Sequence, residues 1–187
     1  MKKIIIHISL IITSIVIYLL QTIFFTNFKI AGVMPNIFVI FMLYIGLYMG
    51  RTMGTIYGIT YGIFIDIWIG KNIGITSVCL AIVGILGGIF DKNFSKDSRI
   101  TVLLMGIVCT IIYEVLVCIM QYFILETNVE IIEFLKILVI EVIYNVLIII
   151  IIYPLMKFTG YEIEDELKGD KIFTRYFWKK VDNWTIE

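Results

Sequence analysis

Apolar runs dominate this chain and set the narrowest limit on its fold. They lie at about Ile4–Phe25, Met34–Met49, Thr52–Ile69, Ile73–Phe90, Ile100–Leu125 and Phe134–Met156. A bilayer core of ~30 Å is crossed by about 20 apolar residues in a helix. The second to fourth runs are short for that, roughly 24–27 Å at the helical rise, and their connections around Arg51 and Lys71-Asn72 are tight. The last two are long enough to tilt. Over the 187 residues, 60% of side chains are hydrophobic and 16% charged, with a mean hydropathy of +1.01. A soluble domain is about a quarter charged, so the surplus apolar surface is expected to be solvated by lipid. The sequence therefore predicts an all-α integral membrane protein, a compact bundle of six transmembrane helices over residues 1–158. A cytoplasmic tail follows over 159–187.

Charge orients the bundle. With the N-terminus inside, the cytoplasmic set is Lys2, Lys3, Arg51, Lys92, Lys96, Arg99, Lys157, Lys168, Lys171, Arg175, Lys179 and Lys180. Lys29, Lys71 and Lys136 remain outside. This is the bias of the positive-inside rule, and it predicts both termini in the cytoplasm. Lys2 and Lys3 before an apolar run resemble a signal peptide, but the run is longer than an h-region and no small-x-small site closes it, so a retained first helix is expected. The 15 basic and 15 acidic residues cancel, which argues against a nucleic-acid partner. In the tail, Ile172, Phe173, Tyr176, Phe177, Val181 and Trp184 recur at helical spacing, the pattern either of an interfacial amphipathic helix or of a partly ordered tail with aromatic residues near the interface.

The most ordered motif is a glycine ladder. Gly46, Gly50, Gly54, Gly58 and Gly62 stand four residues apart, and Asp66, Gly70 and Gly74 continue the spacing. Glycines at i and i+4 clear one helix face for close approach by another backbone. Ser77, Ala81, Gly84 and Gly88 in the next run offer a matching face, and the ladder equally suits a helix of another protein. Three carboxylates, Asp66, Glu114 and Glu141, fall inside predicted spans, where they are costly unless they face the protein interior or a polar cavity. Glu114 and Asn145 come near mid-depth in consecutive antiparallel helices, where they could hydrogen-bond. Glu141 and Asn145 share one face, a turn apart. These groups read either as a structural polar network or as a proton path or small-ligand site.

Catalytic chemistry finds no residues to carry it, and no cofactor is implied. Gly70-Lys71-Asn72 is not a phosphate-binding loop, because residue 65 is Ile and Asn72 replaces the hydroxyl residue. Neither HExxH nor GxSxG occurs. Cys79, Cys109 and Cys118 lie in apolar stretches without metal-ligand spacing and read as small hydrophobes. His7, the single histidine, reads as incidental near the inner interface.

The order of features resembles the rod shape-determining MreD family. The resemblance begins with Leu20-Gln21-Thr22 and Met34-Pro35-Asn36, where the family more often has Asp after the proline. It continues through the ladder to Gly62-Ile63-Phe64-Ile65-Asp66, then Gly70, Gly74 and the Gly84/Gly88 helix. Tyr113-Glu114, Asn145 and Tyr153-Pro154 complete it, over about residues 15 to 158. The resemblance implies a non-catalytic subunit of the bacterial cell-elongation machinery in the cytoplasmic membrane. Its implied partners are an MreC-like protein, MreB and the peptidoglycan polymerase and transpeptidase. In helix count and glycine usage the chain is also similar to the substrate-binding S subunits of energy-coupling-factor vitamin transporters. That alternative expects an outward pocket to which Trp68, Asp66 and Glu141 contribute.

Overall fold

A computed structural model describes residues 2–69, 74–125 and 130–184, with the side chains of 3–68, 74–124 and 130–167. Helices account for almost all of it. The first, α1, runs from Lys2–Leu19 through a π-helical turn, Leu20–Phe24, to a last turn at Phe25–Asn27. Five more follow: α2 (Ile37–Met49), α3 (Arg51–Ile69), α4 (Ile75–Asn93), α5 (Arg99–Leu125) and α6 (Ile131–Trp184). Among the described residues no strand forms; Ile30 and Val33 make a single isolated bridge.

The bundle is built around α2. All 13 of its residues are buried, as expected for a helix that is apolar on every side. It spans only ~20 Å at the helical rise, and α3, α4, α5 and α6 pack around it. Asn36 opens it, accepting from the Val39 N–H at 3.4 Å. Gly50 closes it with φ +88°, a left-handed turn that glycine adopts without strain, and α3 starts at once.

Outside this centre the surface is oily. Ile4, Ile12, Ile67, Phe123, Ile132 and Ile151 are among many large apolar residues left exposed. So much apolar surface is not sustained by a monomer in water; it is a surface for lipid. Among the described residues, four helical stretches are long and apolar enough to cross a membrane: Lys3–Asn27, Ile75–Asn93, Arg99–Ile124 and Ile131–Leu167. Of the six expected spans, length and apolarity alone mark these four. The second apolar run yields a helix of only 13 residues, and α3, interrupted by glycines and Asp66, falls outside those four.

The expected boundary near residue 158 is not marked by a break. Helix α6 continues through Gly160 and the acidic segment to Trp184, 54 residues in all, or about 80 Å at the helical rise. Pro154 lies inside it, where the missing N–H leaves the Ile150 carbonyl without its helical donor. The side chains of the expected amphipathic stripe, Ile172 to Trp184, lie outside the described ones, as do Gly70 and Lys71.

Candidate functional site

The glycine ladder places α3 directly on α4. A Cβ added to Gly54 would come 2.5 Å from the Gly84 carbonyl oxygen, and one on Gly58 would come 2.6 Å from Ala81 Cα. At Gly62 it would collide with Ser77 Cα, at Gly84 with Gly54 backbone, and at Gly88 with Arg51. The antiparallel pairing is thus Gly54 with Gly84, Gly58 with Ala81 and Gly62 with Ser77. Gly46 of α2 also meets the Gly84 and Gly87 backbone, so α4 is wedged against two helices at once. Backbone contact this close leaves no room for side chains between the helices. Gly50 differs: nothing lies within 4 Å of its added Cβ, and its glycine serves the turn rather than the packing.

The polar residues inside the bundle divide into separate sites. Asp66 is 3% exposed, and its Oδ2 accepts from the Gly74 N–H at 2.8 Å and the Ser77 N–H at 3.4 Å. It caps the start of α4, where a carboxylate satisfies orphan N–H groups and meets the positive end of the helix dipole. Ser77 in turn donates to the Ile59 carbonyl at 3.0 Å, tying the cap to the ladder. Asn145, fully buried, accepts from the Asn36 N–H at 2.9 Å and donates to Thr110 Oγ1 at 3.1 Å. It joins α6, α5 and the start of α2. Thr110 passes the chain on to the Gly106 carbonyl at 2.9 Å.

A bond between Glu114 and Asn145, which their depth allows, is not the arrangement found. Asn145 is engaged as described, and Glu114 instead lies within hydrogen-bonding reach of Glu141 on α6. An ionised carboxylate only accepts hydrogen bonds, so two carboxyls bond through a shared proton. Glu141 is 6% exposed, and its Oε1 is buried with no hydrogen-bond partner. It lines a cavity of about 520 Å³ between α1, the loop before α2 and α6, together with Gln21, Pro35, Asn36, Glu133 and Lys136. Of the three residues expected around an outward pocket, Glu141 lines this cavity. Asp66 is occupied as a cap. Trp68 is 65% exposed and packs edge-on against Tyr18, with ring centroids 5.7 Å apart.

Two further contacts are illegible in sequence. His7 is not incidental: its Nδ1 hydrogen-bonds with the Tyr57 hydroxyl, linking α1 to α3. At the opposite end from the cavity, Lys96, in the loop between α4 and α5, forms 2.6 Å ion pairs with Asp91 and with Glu164 of α6. Its ammonium also stands 4.9 Å from the Tyr48 ring centroid. Beside it the Tyr161 hydroxyl donates to Asp97 Oδ1 at 2.7 Å, and Lys157 pairs with the same oxygen at 3.3 Å. The Tyr161 hydrogen bond first, and Lys157 second, hold the Asp97 carboxyl below its usual range. This latch fastens the continuation of α6 to the bundle. The signal available in sequence was only a lysine in a short loop and an acidic run some 70 residues later.

Among the described residues no group of His, Cys, Asp and Glu could hold a metal ion. Cys79 and Cys109 are buried and free, and Cys118 is half-buried. No curated protein and no solved structure matches the chain. A family model does, over residues 1–159, which takes in all six helices as far as the polar end of α6. The chain belongs to the rod shape-determining protein MreD family.

Proposed function

We propose that this protein is a non-catalytic scaffold of the bacterial cell-elongation machinery, held in the cytoplasmic membrane as a multi-pass bundle. In this reading all six helices lie in the bilayer, the short α2 shielded by its neighbours, and both termini are cytoplasmic. The protein organises lateral peptidoglycan synthesis with an MreC-like protein, MreB and the polymerase and transpeptidase. The family match over residues 1–159 carries the proposal. The use of the intramembrane polar groups supports it. Asp66 is spent on a helix cap and Asn145 on an interhelical bridge, which is structural work, and the glycines are spent on backbone contact. An outward vitamin site lined by Trp68 and Asp66, as a transporter S subunit would need, has no support in these positions.

The test is depletion in a rod-shaped host. Cells should round or widen while vitamin uptake is unchanged, and the protein should co-purify in mild detergent with MreC-like or polymerase partners. Intact rod shape after depletion would overturn the reading. Topology is tested separately in a background without native cysteines. An external thiol reagent should modify a cysteine placed at Asn128 but not at Asn93 or Asn183. Labelling at Asn93 in sealed cells would refute the six-span arrangement.

A further inference from the structure

The acidic run on the continuation of α6 divides between two sides of the helix. Glu164 is held by Lys96, and the neighbouring Tyr161 hydroxyl donates to Asp97, so that side is closed against the loop between α4 and α5. Glu162 and Asp165 are exposed and line a groove of about 560 Å³ between the first turns of α1 and α6. Ile5, Ile6 and Ile163 supply its apolar surface. Among the described residues neither Glu162 nor Asp165 forms an ion pair. Both lie past residue 159, where the family match ends, so the groove's charge belongs to this chain and not to the family pattern. An apolar groove edged with uncompensated negative charge calls for a cationic, partly apolar occupant.

Three candidate occupants are excluded by charge or by geometry. Anionic lipid headgroups at the inner membrane surface are repelled by Glu162 and Asp165. The chain's own basic tail, Lys168 to Lys180, follows the groove on the same continuous helix. That helix carries Lys171, Arg175 and Lys179 about 9–21 Å beyond Asp165 at the helical rise, away from the groove rather than back into it. A second copy in the same membrane holds its tail at the same depth and misses the groove by the same offset. A different protein remains. The cavity at the other end of the bundle lies between the same two helices. Ile5 and Gln21, which line the two openings, are ~24 Å apart along α1 at the helical rise, an interval that one transmembrane helix covers.

We propose that this groove seats the basic juxtamembrane end of a single-span membrane protein, whose transmembrane helix lies along the seam between α1 and α6. The inner end of a single span is where Lys and Arg concentrate, so such a segment reaches the groove's depth already carrying the charge it needs. Its ammonium or guanidinium groups donate to Glu162 and Asp165, and its aliphatic stems and apolar neighbours cover Ile5, Ile6 and Ile163. The inference deepens the scaffold reading by giving the chemistry of one partner. It rests on the cytoplasmic placement of the tail and not on the role in cell shape.

The experiment uses the full chain in living cells, with a photoreactive phenylalanine replacing Ser9, which is exposed in the groove. The control carries it at Leu104, exposed on α5. The adduct from Ser9, sequenced by mass spectrometry, should map to a Lys- and Arg-rich segment within about ten residues of a lone transmembrane helix; Leu104 should give no such adduct. Glu162→Lys together with Asp165→Lys, at exposed positions, should lower its yield at least about tenfold at unchanged abundance, because like charges set against one another in an interface are strongly unfavourable. Changing the captured segment's basic residues to Glu should restore it. Glu162→Gln with Asp165→Asn, which keeps the shape of the groove, should give an intermediate loss. An adduct to a second copy of this chain, to lipid alone, or one indifferent to both double variants would overturn the proposal. External labelling of a cysteine at Asn183 would remove the topology beneath both readings, whereas absence of the adduct with Asn183 protected sinks the docking alone.

Discussion

Replacing Gly58 tests how the centre of the bundle is held together. The first carbon of any side chain there would sit 2.6 Å from Ala81 Cα and 2.7 Å from Ala81 N and Leu80 C. Carbon atoms pack at about 3.5–4.0 Å, so α3 and α4 would have to separate by roughly 1 Å. A gap of that size forfeits about a quarter to a half of the dispersion energy of the contacts it opens. The atoms met are backbone, which cannot rotate away as a side chain can. Overpacking typically costs ~1–3 kcal/mol, and Gly58→Leu, with three more carbons to place, belongs at or above the upper end. Three kcal/mol is roughly a 100-fold shift in the unfolding equilibrium. The control is Gly106→Ala. There the added carbon meets only the far end of the Ile149 side chain. A rotamer adjustment of ~0.5–1.5 kcal/mol is offset by the ~1 kcal/mol that alanine gains over glycine in a helix. Unfolding followed by helical circular dichroism in mixed micelles, with cellular abundance beside it, should show Gly58→Leu strongly destabilised and Gly106→Ala near wild type. If Gly58→Leu and Gly62→Leu both unfold like wild type, the ladder does not mark backbone contact and the packing account is wrong.

The remaining expectations concern the polar groups. Asp66→Ala removes the cap of α4 and should cost ~0.5–2 kcal/mol, while Asp66→Asn keeps an acceptor and should lose less; equal losses in the same unfolding assay would refute the capping role. Lys96→Met should free the continuation of α6, seen as faster backbone hydrogen exchange at Glu162–Leu167, and unchanged exchange would mean the ion pairs do not hold it. Because Asp97 is held below its ordinary range in the folded protein, its contribution is complete above the unfolded carboxyl value of ~3.9 and is lost as pH falls through the lower folded value. Protection in that segment, the measured exchange taken relative to the intrinsic rate at each pH, should therefore stay flat from pH 8 to 5 and fall only in stronger acid; a loss of protection near pH 6 would contradict it. Glu114→Gln keeps a hydrogen-bonding group against Glu141 and should be tolerated better than Glu114→Leu in abundance and cell shape. Equal damage from both at normal abundance would point to a carboxyl that works by exchanging its proton.

What was legible in the sequence follows from what is periodic in it. The i, i+4 glycines announced a cleared helix face, and Ser77, Ala81 and Gly84 announced the surface that fills it, because small side chains have few other uses in an apolar helix. Composition and the length of the apolar runs pointed to a helical membrane bundle because bilayer thickness and backbone hydrogen bonding leave few alternatives. Depth was harder. The run Met34–Met49 reads as one continuous apolar segment, but the Ile30–Val33 turn, Pro35 and the Asn36 cap delay the helix to Ile37, and Gly50 ends it. A helix that is apolar all round carries no sign of whether lipid or protein surrounds it. Its complete burial is a property of the other helices.

The partners of isolated polar residues were the least legible. Counting residues from the membrane surface placed Glu114 and Asn145 at one depth, but depth does not fix rotation. Glu114 turns toward Glu141, and Asn145 toward Thr110 and the Asn36 N–H. The same limit hid the link from Lys96 to Glu164, which depends on α6 staying helical past Gly160. Together these contacts give the bundle two textures. Helices α2, α3 and α4 meet backbone to backbone through glycine, with little that can shift independently. Helix α1 touches the rest through fewer buried side chains, chiefly Leu10, Ser14 and Ile17, and the cavity lined by Gln21 and Glu141 opens beside it. A ligand or partner helix that displaced α1 would disturb the His7–Tyr57 bond and the cavity wall while leaving the glycine-packed centre intact. Exchange of neighbours is therefore physically cheapest along the seam between α1 and α6.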